Sequence, residues 1–247
     1  MMSEALDDIQ IAHDAGATHI SWYQLTIEPN TVFYRSQPIL PDEDSLADIE
    51  QAGQALLERL GYNNYEVSAW AGASDKPCRH NVNYWQFGDY LAIGAGAHGK
   101  VTITKDANQE LAAEKDSCEI LKNETGIYRF SKSRMPKDYM GYQYEAQQKE
   151  ISEKSQVTTV IPKTPKMVGW QAIASDELVS EFMLNALRLH DGVAWFLFKA
   201  RTGLSYESIA VEVNKLIKQG LLIDDNEHLQ PTALGRKYLN QILRVFL

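Results

Sequence analysis

The chain has 247 residues, 44% of them hydrophobic and 23% charged, which is typical of a globular protein with one large domain or two small ones. Its net charge of −9 disfavours nucleic-acid binding, which requires a basic face. No run approaches the roughly 20 apolar residues of a membrane span, and the acidic, polar first ten residues are untypical of a signal peptide.

The two cysteines, Cys78 and Cys118, are too far apart in sequence to form a metal motif or a C-x-x-C redox pair. Two cysteines also make no disulfide framework in a chain of this length. We therefore expect free thiols and a reducing, cytoplasmic setting, with no metal site built on these residues.

The first half of the chain alternates between predicted helices and strands. A helix over 3–15 is followed by a strand over 19–27, and a helix over 41–61 by a strand over 65–68. This alternation is typical of a parallel α/β sheet. A complete parallel barrel has eight such units in about 250 residues. The region therefore corresponds to the tail of an α/β barrel, or of a partial barrel, without its earlier units.

The middle of the chain is less regular. We predict a strand over 89–98 that ends in a glycine-bearing turn, a short strand over 101–104 and an edge strand over 127–130. A helix is expected from Pro136 to about Glu150. The Lys/Ser/Thr/Pro-rich stretch over 152–167 is expected to be an exposed linker.

The last third predicts three helices, a small hairpin and a final helix. The helices are expected after Ser175, over 193–200 and over 205–220, the hairpin over 221–230 and the final helix over 231–246. This outline is typical of a small winged-helix-like α+β domain. The predicted domains are thus residues 1–135 (α/β barrel part), 136–170 (helix and linker) and 171–247 (winged-helix-like).

The charge of the third helix, over 205–220, indicates whether such a domain would bind DNA. It carries Lys215 and Lys218 against Glu207 and Glu212, so its charge is balanced. A DNA-recognition helix would be basic. A protein-contact role or a substrate-lid role is the better hypothesis.

The densest candidate for a binding site is the segment from Cys78 to Trp85, which is followed closely by Gly88-Asp-Tyr90 and Gly94–Gly99. It contains a histidine, two asparagines, a tyrosine and a tryptophan, and each polar group needs a partner if it is buried. The alternative is a structural corner, in which asparagines cap a turn and the aromatic rings fill the core.

A second candidate is the Gly94-x-Gly96-x-His98 segment, a weak phosphate-type signal. It does not fit the dinucleotide fingerprint, because a strand is predicted where a helix should begin. The glycines would let the backbone approach a ligand or another strand closely. His98 is a ligand or a core histidine, and the absence of a second histidine at metal spacing favours the core.

Four segments carry a resemblance to a known family. The chain resembles oxygen-independent coproporphyrinogen III oxidase-like radical-SAM proteins along essentially its whole length. The H-N-x-x-Y-W segment is typical of the haem-chaperone branch of that family. The segments are His19-Ile-Ser-Trp-Tyr-Gln-Leu-Thr-Ile-Glu-Pro-Asn-Thr31, Tyr65-Glu-Val-Ser68, His80-Asn-Val-Asn-Tyr-Trp85 and Gly94-Ala-Gly-Ala-His98.

The resemblance implies a parent protein with a radical-SAM barrel. Its N-terminal part would hold a [4Fe-4S] cluster on a C-x-x-x-C-x-x-C motif and cleave S-adenosylmethionine to a 5′-deoxyadenosyl radical. In the oxidases this radical begins decarboxylation of coproporphyrinogen III propionates. In the chaperone branch the implied role is to bind haem and hand it to acceptor proteins.

The sequence departs from the family in one respect. It contains no C-x-x-x-C-x-x-C motif, and two distant cysteines cannot hold the cluster. Met1 falls where the family would be in mid-barrel, which implies an excised fragment or a truncated gene. We therefore expect no radical chemistry from this chain alone, and its standing as an enzyme is left open.

The resemblance also implies two sets of site residues. The haem or porphyrin side would consist of His80, Asn81, Tyr84 and Trp85. The S-adenosylmethionine side would consist of Thr26, Gly94, Gly96 and His98, at the carboxyl ends of strands. For Thr26 the alternative is a simple turn residue, and no catalytic residue is assigned.

Two alternative functions and one hypothesis on association remain. The chain could be a non-catalytic protein-interaction module, or its full-length parent could be a true coproporphyrinogen III dehydrogenase. A partial barrel would also expose a sheet edge and apolar surface. This predicts self-association, or coverage by a missing N-terminal half-barrel.

Overall fold

The computed structural model describes residues 2–104, 125–140 and 167–247. These residues belong to two compact units, one of Met1–Phe87 with Ser180–Leu247 and one of Gly88–Val179. Cys118, all of the predicted linker except Met167, and the predicted helix beyond Met140 lie outside the described residues. The predicted domain boundaries near residues 135 and 170 remain a prediction.

The N-terminal part of the first unit packs helices against a three-stranded sheet. The strands run in the order β1-β3-β2, and both pairings are antiparallel. The elements are α1 (Met2–Asp14), β1 (His19–Ser21), α2 (Val32–Arg35), α3 (Glu43–Arg59), β2 (Tyr62–Asn64), β3 (Ala69–Gly72) and α4 (Arg79–Trp85).

The mixed α/β class is confirmed, but the parallel pairing expected for these strands is wrong. The segment Tyr65–Ser68, predicted as a strand, instead connects β2 to β3, and so short a connection allows only antiparallel pairing. Local hydrogen bonds stabilise this connection, because the side-chain amide of Asn64 donates to the carbonyl oxygens of Glu66 (2.7 Å) and Ala69 (3.1 Å).

The strand predicted over 19–27 is much shorter in the structure. The backbone N–H of Trp22 donates to the carbonyl oxygen of Ser68 at 2.9 Å, just after β1 ends. Beyond this point the described residues provide no neighbouring strand, and the side chain of Tyr23 is 75% exposed. Strand propensity alone does not form a strand without such a neighbour.

The helix predicted over 41–61 is confirmed as α3. Asp42 is the N-cap, and its carboxylate accepts a hydrogen bond from the backbone N–H of Ser45 at 2.8 Å. The apolar faces of α1 and α3 pack on the sheet and form the core of this part. Its buried members are Ile9, Ile20, Leu56, Leu57, Tyr62 and Trp70.

The second unit contains a three-stranded antiparallel sheet in the order β4-β5-β6. Its elements are β4 (His98–Ile103), β5 (Gly126–Lys132), α5 (Pro136–Met140) and β6 (Met167–Ala172). The prediction that 127–130 is an edge strand is wrong, because β5 is central. The strand predicted over 89–98 is reduced to one bridge between Tyr90 and Lys100.

The C-terminal part is mainly helical. Its elements are α6 (Leu178–Ala186), β7 (Val193–Ala194), α7 (Trp195–Thr202), a 3₁₀ turn (Tyr206–Ser208), α8 (Ala210–Lys218), β8 (His228–Leu229), α9 (Ala233–Lys237) and α10 (Leu239–Leu243). The predicted hairpin is present as a bridge between Leu222 and Pro231, while β8 pairs with β7. The predicted final helix is divided into α9 and α10 around Tyr238. The winged-helix-like outline remains a prediction.

Candidate functional site

A pocket of about 590 Å³ lies beside the N-terminal end of α4, within the first unit. Pockets of small molecules and cofactors typically have roughly 300–1,000 Å³. Its wall combines buried aromatic residues with exposed polar and basic ones. The lining residues are His19, Ile20, Ser21, Tyr65, Ala69, Trp70, Lys76, Pro77, Cys78, Arg79, His80 and Asn81.

Helix α4 places His80 on this wall with an exposed side chain. The ring of His80 lies 5.7 Å, centroid to centroid, from the ring of Tyr84 one turn along the helix. The structure gives its ring nitrogens no hydrogen-bond partner within the described residues. His80 is therefore available to bind a ligand.

The other histidine on the wall, His19, is already engaged. Its Nδ1 lies 3.1 Å from the hydroxyl of Thr18, and its Nε2 lies 2.9 Å from the carbonyl oxygen of Lys76. These contacts hold the segment that carries Lys76 against strand β1. Of the two histidines that line the pocket, His80 is thus the one with free ring nitrogens.

Asn81 contacts the pocket floor through Tyr65. Its side-chain amide donates to the phenolic oxygen of Tyr65 at 3.0 Å. Burial raises the pKa of Tyr65 above its ordinary value, so this side chain is a neutral hydroxyl at physiological pH. The pair gives the pocket a fixed polar group beside an apolar surface formed by Trp70.

The last predicted residues of the helix have a different environment. Neither Tyr84 nor Trp85 lines the pocket, although both lie on the helix that carries His80. The guanidinium carbon of Arg188 lies 4.3 Å from the ring centroid of Trp85. The indole Nε1 is buried and has no hydrogen-bond partner among the described residues. Trp85 therefore joins α4 to Arg188 and does not contribute to the pocket wall.

Arg188 also contacts a buried carboxylate, that of Glu66. Glu66 is 2% exposed, and its Oε1 accepts hydrogen bonds from the backbone N–H (3.2 Å) and the hydroxyl (3.0 Å) of Ser68. Its Oε2 lies 3.5 Å from a guanidinium nitrogen of Arg188. Arg188 thus links the β2-β3 connection to helix α4. Sequence reasoning missed this pair, because the partners are far apart in the chain.

The residues assigned to the S-adenosylmethionine side belong to the two different units. Thr26 is exposed and lies in the first unit, beyond the end of β1. Gly94 and Gly96 lie in the second unit, in the turn before β4, both with positive φ. His98 is exposed and is the first residue of β4. The expectation that Thr26 and His98 sit at the carboxyl ends of strands is therefore wrong.

The turn in the second unit has its own supporting contacts. The backbone N–H of Gly94 donates to the hydroxyl of Tyr139 at 2.9 Å, and that of Gly96 donates to the carbonyl oxygen of Ser133 at 2.7 Å. Their φ angles of 105° and 71° explain why glycine occupies both positions. These contacts account for both glycines within the protein's own fold.

Sequence reasoning gave no role to two basic residues of the pocket wall, although Arg79 lies within the candidate segment from Cys78 to Trp85. Lys76 and Arg79 both line the pocket and are both exposed. They lie just before His80 in the sequence, so the Lys-Pro-Cys-Arg run next to the H-N-x-x-Y-W segment was the signal that could have revealed them.

A second pocket, of about 600 Å³, also lies within the first unit and is lined mainly by apolar side chains. Several of these side chains are large and exposed, which makes it an apolar surface depression. They include Tyr23, Leu25, Leu40 and Val67. It contains no histidine or cysteine, so it offers neither an imidazole nor a thiolate to a ligand.

Two features are absent from the described residues. Among residues 2–104, 125–140 and 167–247, no three His, Cys, Asp or Glu side chains are grouped so that they could hold a metal ion. Within the same residues, no helix has the length and apolar character needed to cross a membrane.

Comparisons with known proteins identify the family. Residues 173–238 match the HemN C-terminal domain. The whole chain is 38% identical to "Heme chaperone HemW" of Haemophilus influenzae and 36% identical to the Escherichia coli protein of the same name. Over its whole length this chain is thus similar to proteins named heme chaperone HemW, and its C-terminal part matches the HemN C-terminal domain. The resemblance stated for its segments, including the haem-chaperone branch, is thereby confirmed.

A solved structure supports the fold. The chain is similar to the coproporphyrinogen III oxidase HemN of Escherichia coli, described as a radical SAM enzyme, with a TM-score of 0.58 and 16% identity. The match covers 96% of this chain and 50% of that one. The curated relatives are likewise covered over 53% and 54% of their length, so the chain spans about half of each.

The residues present do not fit the iron–sulfur cluster that the family implies. The sequence has two cysteines in all, and Cys78 is the one within the described residues, as a free thiol. Such a cluster is held by several closely placed thiolates. No chemical step through a cluster follows from this chain.

Proposed function

We propose that this chain binds haem, or a related porphyrin, in the pocket beside α4 and takes part in handing it to acceptor proteins. The observation that carries the proposal is the side chain of His80, which is exposed on the pocket wall and has unengaged ring nitrogens. Neutral imidazole is a common axial ligand of haem iron. Two relatives over the full chain length are named heme chaperones, which supports the same function.

The surroundings of His80 suit a flat, aromatic ligand. Tyr65 and Trp70, both at least 93% buried, give the pocket an apolar aromatic surface, while Asn81 and the hydroxyl of Tyr65 add a polar edge. Tyr84 contacts the ring of His80 from the next turn, and Trp85 holds the helix in place. We therefore assign His80 to the iron, Asn81 to the pocket edge, and Tyr84 and Trp85 to supporting roles.

Access to the pocket suits transfer of a ligand. His19, Lys76, Arg79 and His80 are all exposed, so the ligand would stay open to solvent along one side. A permanently held cofactor is usually buried over most of its surface. An open site of this kind favours release to an acceptor.

The remaining family features stay proposals that rest on the resemblance. By the resemblance, S-adenosylmethionine would be a cofactor of the full-length parent protein, and the cofactor roles of Thr26 in the first unit and of Gly94, Gly96 and His98 in the second stay expectations of that resemblance. Partner polypeptides would be haem acceptors or a preceding half-barrel. A cytoplasmic, reducing setting follows from the widely spaced cysteines.

Haem titration of the purified chain, followed by Soret absorbance, tests the proposal. Saturable binding is expected, and His80→Ala should weaken it by roughly tenfold or more, the loss of about 1.4 kcal/mol of binding free energy. His228→Ala is the matched control, because that histidine lies outside the pocket lining and pairs with Asp225. Absence of saturable binding, or equal binding by wild type and His80→Ala, would refute the proposed function.

A further inference from the structure

The pocket beside α4 is basic although the chain as a whole is acidic. The net charge of the chain is −9, yet the charged lining residues of this pocket are Lys76 and Arg79. No aspartate or glutamate is among the residues that line it. This local reversal of sign indicates a ligand with negative charge.

Neither basic side chain is used by the fold. Within the described residues the structure gives the ammonium of Lys76 and the guanidinium of Arg79 no salt bridge and no side-chain hydrogen bond. The buried carboxylate of Glu66 is 2% exposed and faces Arg188. Asp75 precedes Lys76 in the sequence but does not line the pocket. The two cations are therefore free to meet a ligand anion.

The backbone positions of the two basic residues are constrained. His19 Nε2 lies 2.9 Å from the backbone carbonyl of Lys76, which ties that residue to strand β1. Arg79 is the first residue of α4, directly before His80. A ligand coordinated by His80 would thus have both cations at its edge, and guanidinium and ammonium groups are the usual carboxylate partners in proteins.

We propose that Lys76 and Arg79 bind the carboxylates of the porphyrin side chains, so that this pocket selects porphyrins with free propionates. The inference rests on the proposed function, since it concerns the same site and names the residues that determine ligand specificity. His80 would provide iron ligation, while the two cations would orient the macrocycle with its propionates at the solvent edge.

The test compares haem with its dimethyl ester, which has the same macrocycle and iron but no carboxylates. The wild-type chain should bind haem roughly tenfold more tightly than the ester, as expected for loss of charge-assisted hydrogen bonds. The double variant Lys76→Gln/Arg79→Gln should lose this preference and bind the ester as the wild type does. Lys215→Gln/Lys218→Gln makes the same charge change on exposed positions of α8 and should leave both affinities unchanged.

The outcomes separate this inference from the proposed function. If the wild type binds haem and its ester equally, or if the double variant keeps the preference, the carboxylate assignment is wrong while haem binding stands. If the double variant weakens both ligands equally, its effect is on the pocket structure, and the assignment is again wrong. If the wild type binds neither ligand, the proposed function fails and this inference fails with it.

Discussion

The guanidinium of Arg188 stacks on the indole of Trp85, 4.3 Å from the ring centroid, and the same guanidinium faces Glu66 at 3.5 Å. One side chain from the C-terminal part thus contacts both the helix that carries the candidate ligand His80 and the connection that follows β2. The pairing is costly to disrupt, because the carboxylate of Glu66 is buried.

The first prediction concerns this contact. Arg188→Ala should lower the free energy of unfolding by about 2–4 kcal/mol, because it leaves a buried carboxylate without its counter-charge. Arg188→Lys keeps the charge but loses the planar stacking on Trp85, so its loss should be smaller. Urea unfolding of both variants measures the difference. An Arg188→Ala variant as stable as the wild type would show that the contact contributes nothing.

Some of the fold follows directly from local sequence signals. Helix α3 has a capping aspartate, a regular apolar face and a glycine beyond its end, and all three act within a few residues. The segment from His80 to Trp85 is a candidate site on sequence grounds, because it groups polar and aromatic residues. In the structure it forms one short helix, with His80 and Asn81 on a pocket wall.

The rest depends on which distant segments meet. Whether a strand of the first sheet is parallel or antiparallel depends on which strand it pairs with. A short apolar stretch can form either kind of pairing. The same holds for Arg188, whose partners Glu66 and Trp85 lie more than a hundred residues earlier. No local pattern marks such a partner, so the support behind the candidate site could not be predicted.

The second prediction concerns Gly235 in α9. A β-carbon at this position would overlap the backbone carbonyl oxygen of Leu221, which cannot move as a flexible side chain can. Gly235→Ala should therefore cost about 3 kcal/mol or more of unfolding free energy. Gly203→Ala is the control, because its β-carbon meets open space. The positive φ at that position should lower the unfolding free energy by only about 1 kcal/mol. Equal stability losses for the two variants would contradict the predicted overlap.

The third prediction concerns the second unit. The ammonium of Lys100 is 3% exposed and lies 3.1 Å from Oδ1 of Asp89. Although burial alone would raise it, the pKa of Asp89 lies below its ordinary value, because hydrogen bonds from Thr102 and Lys100 favour the carboxylate. Removing that charge should take away one favourable partner of the buried cation.

Asp89→Asn should accordingly lower the free energy of unfolding by about 1–2 kcal/mol at neutral pH, because the carboxylate is 40% exposed and therefore partly screened by solvent. The control is Asp138→Asn, an exposed aspartate of the same unit that bonds Ser133, for which a loss of about 0.5 kcal/mol is expected. Thermal unfolding of both variants provides the comparison. A loss for Asp89→Asn no larger than that of the control would mean that Lys100 is compensated without Asp89.

The fourth prediction is a pH dependence that arises from His190. Burial, together with the positive charge of Arg236, lowers the pKa of His190 to about 4 from an ordinary 6.5. Its backbone N–H also donates to the carbonyl oxygen of Tyr65, so it lies close behind the pocket floor. Of the groups that act on it, the backbone of Asn64 and the charge of Asp191 favour protonation but do not outweigh the burial.

The sign of the effect follows from proton uptake. Between pH 6.5 and about 4 the unfolded chain binds a proton at His190 that the folded chain does not bind. Stability is therefore full above pH 6.5 and falls as the pH drops toward 4, by about 2 kcal/mol after allowance for residual solvent exposure.

His190→Gln isolates this contribution, because the other titrating groups are present in both proteins. The difference in unfolding free energy between wild type and variant should change across this pH range and be constant above it. Denaturant unfolding at several pH values measures that difference. If it is the same at every pH, or if NMR titration places the pKa of His190 near 6.5, the histidine is not held neutral by its surroundings. A pH-dependent difference would show that acidification loosens the structure directly behind the candidate haem pocket.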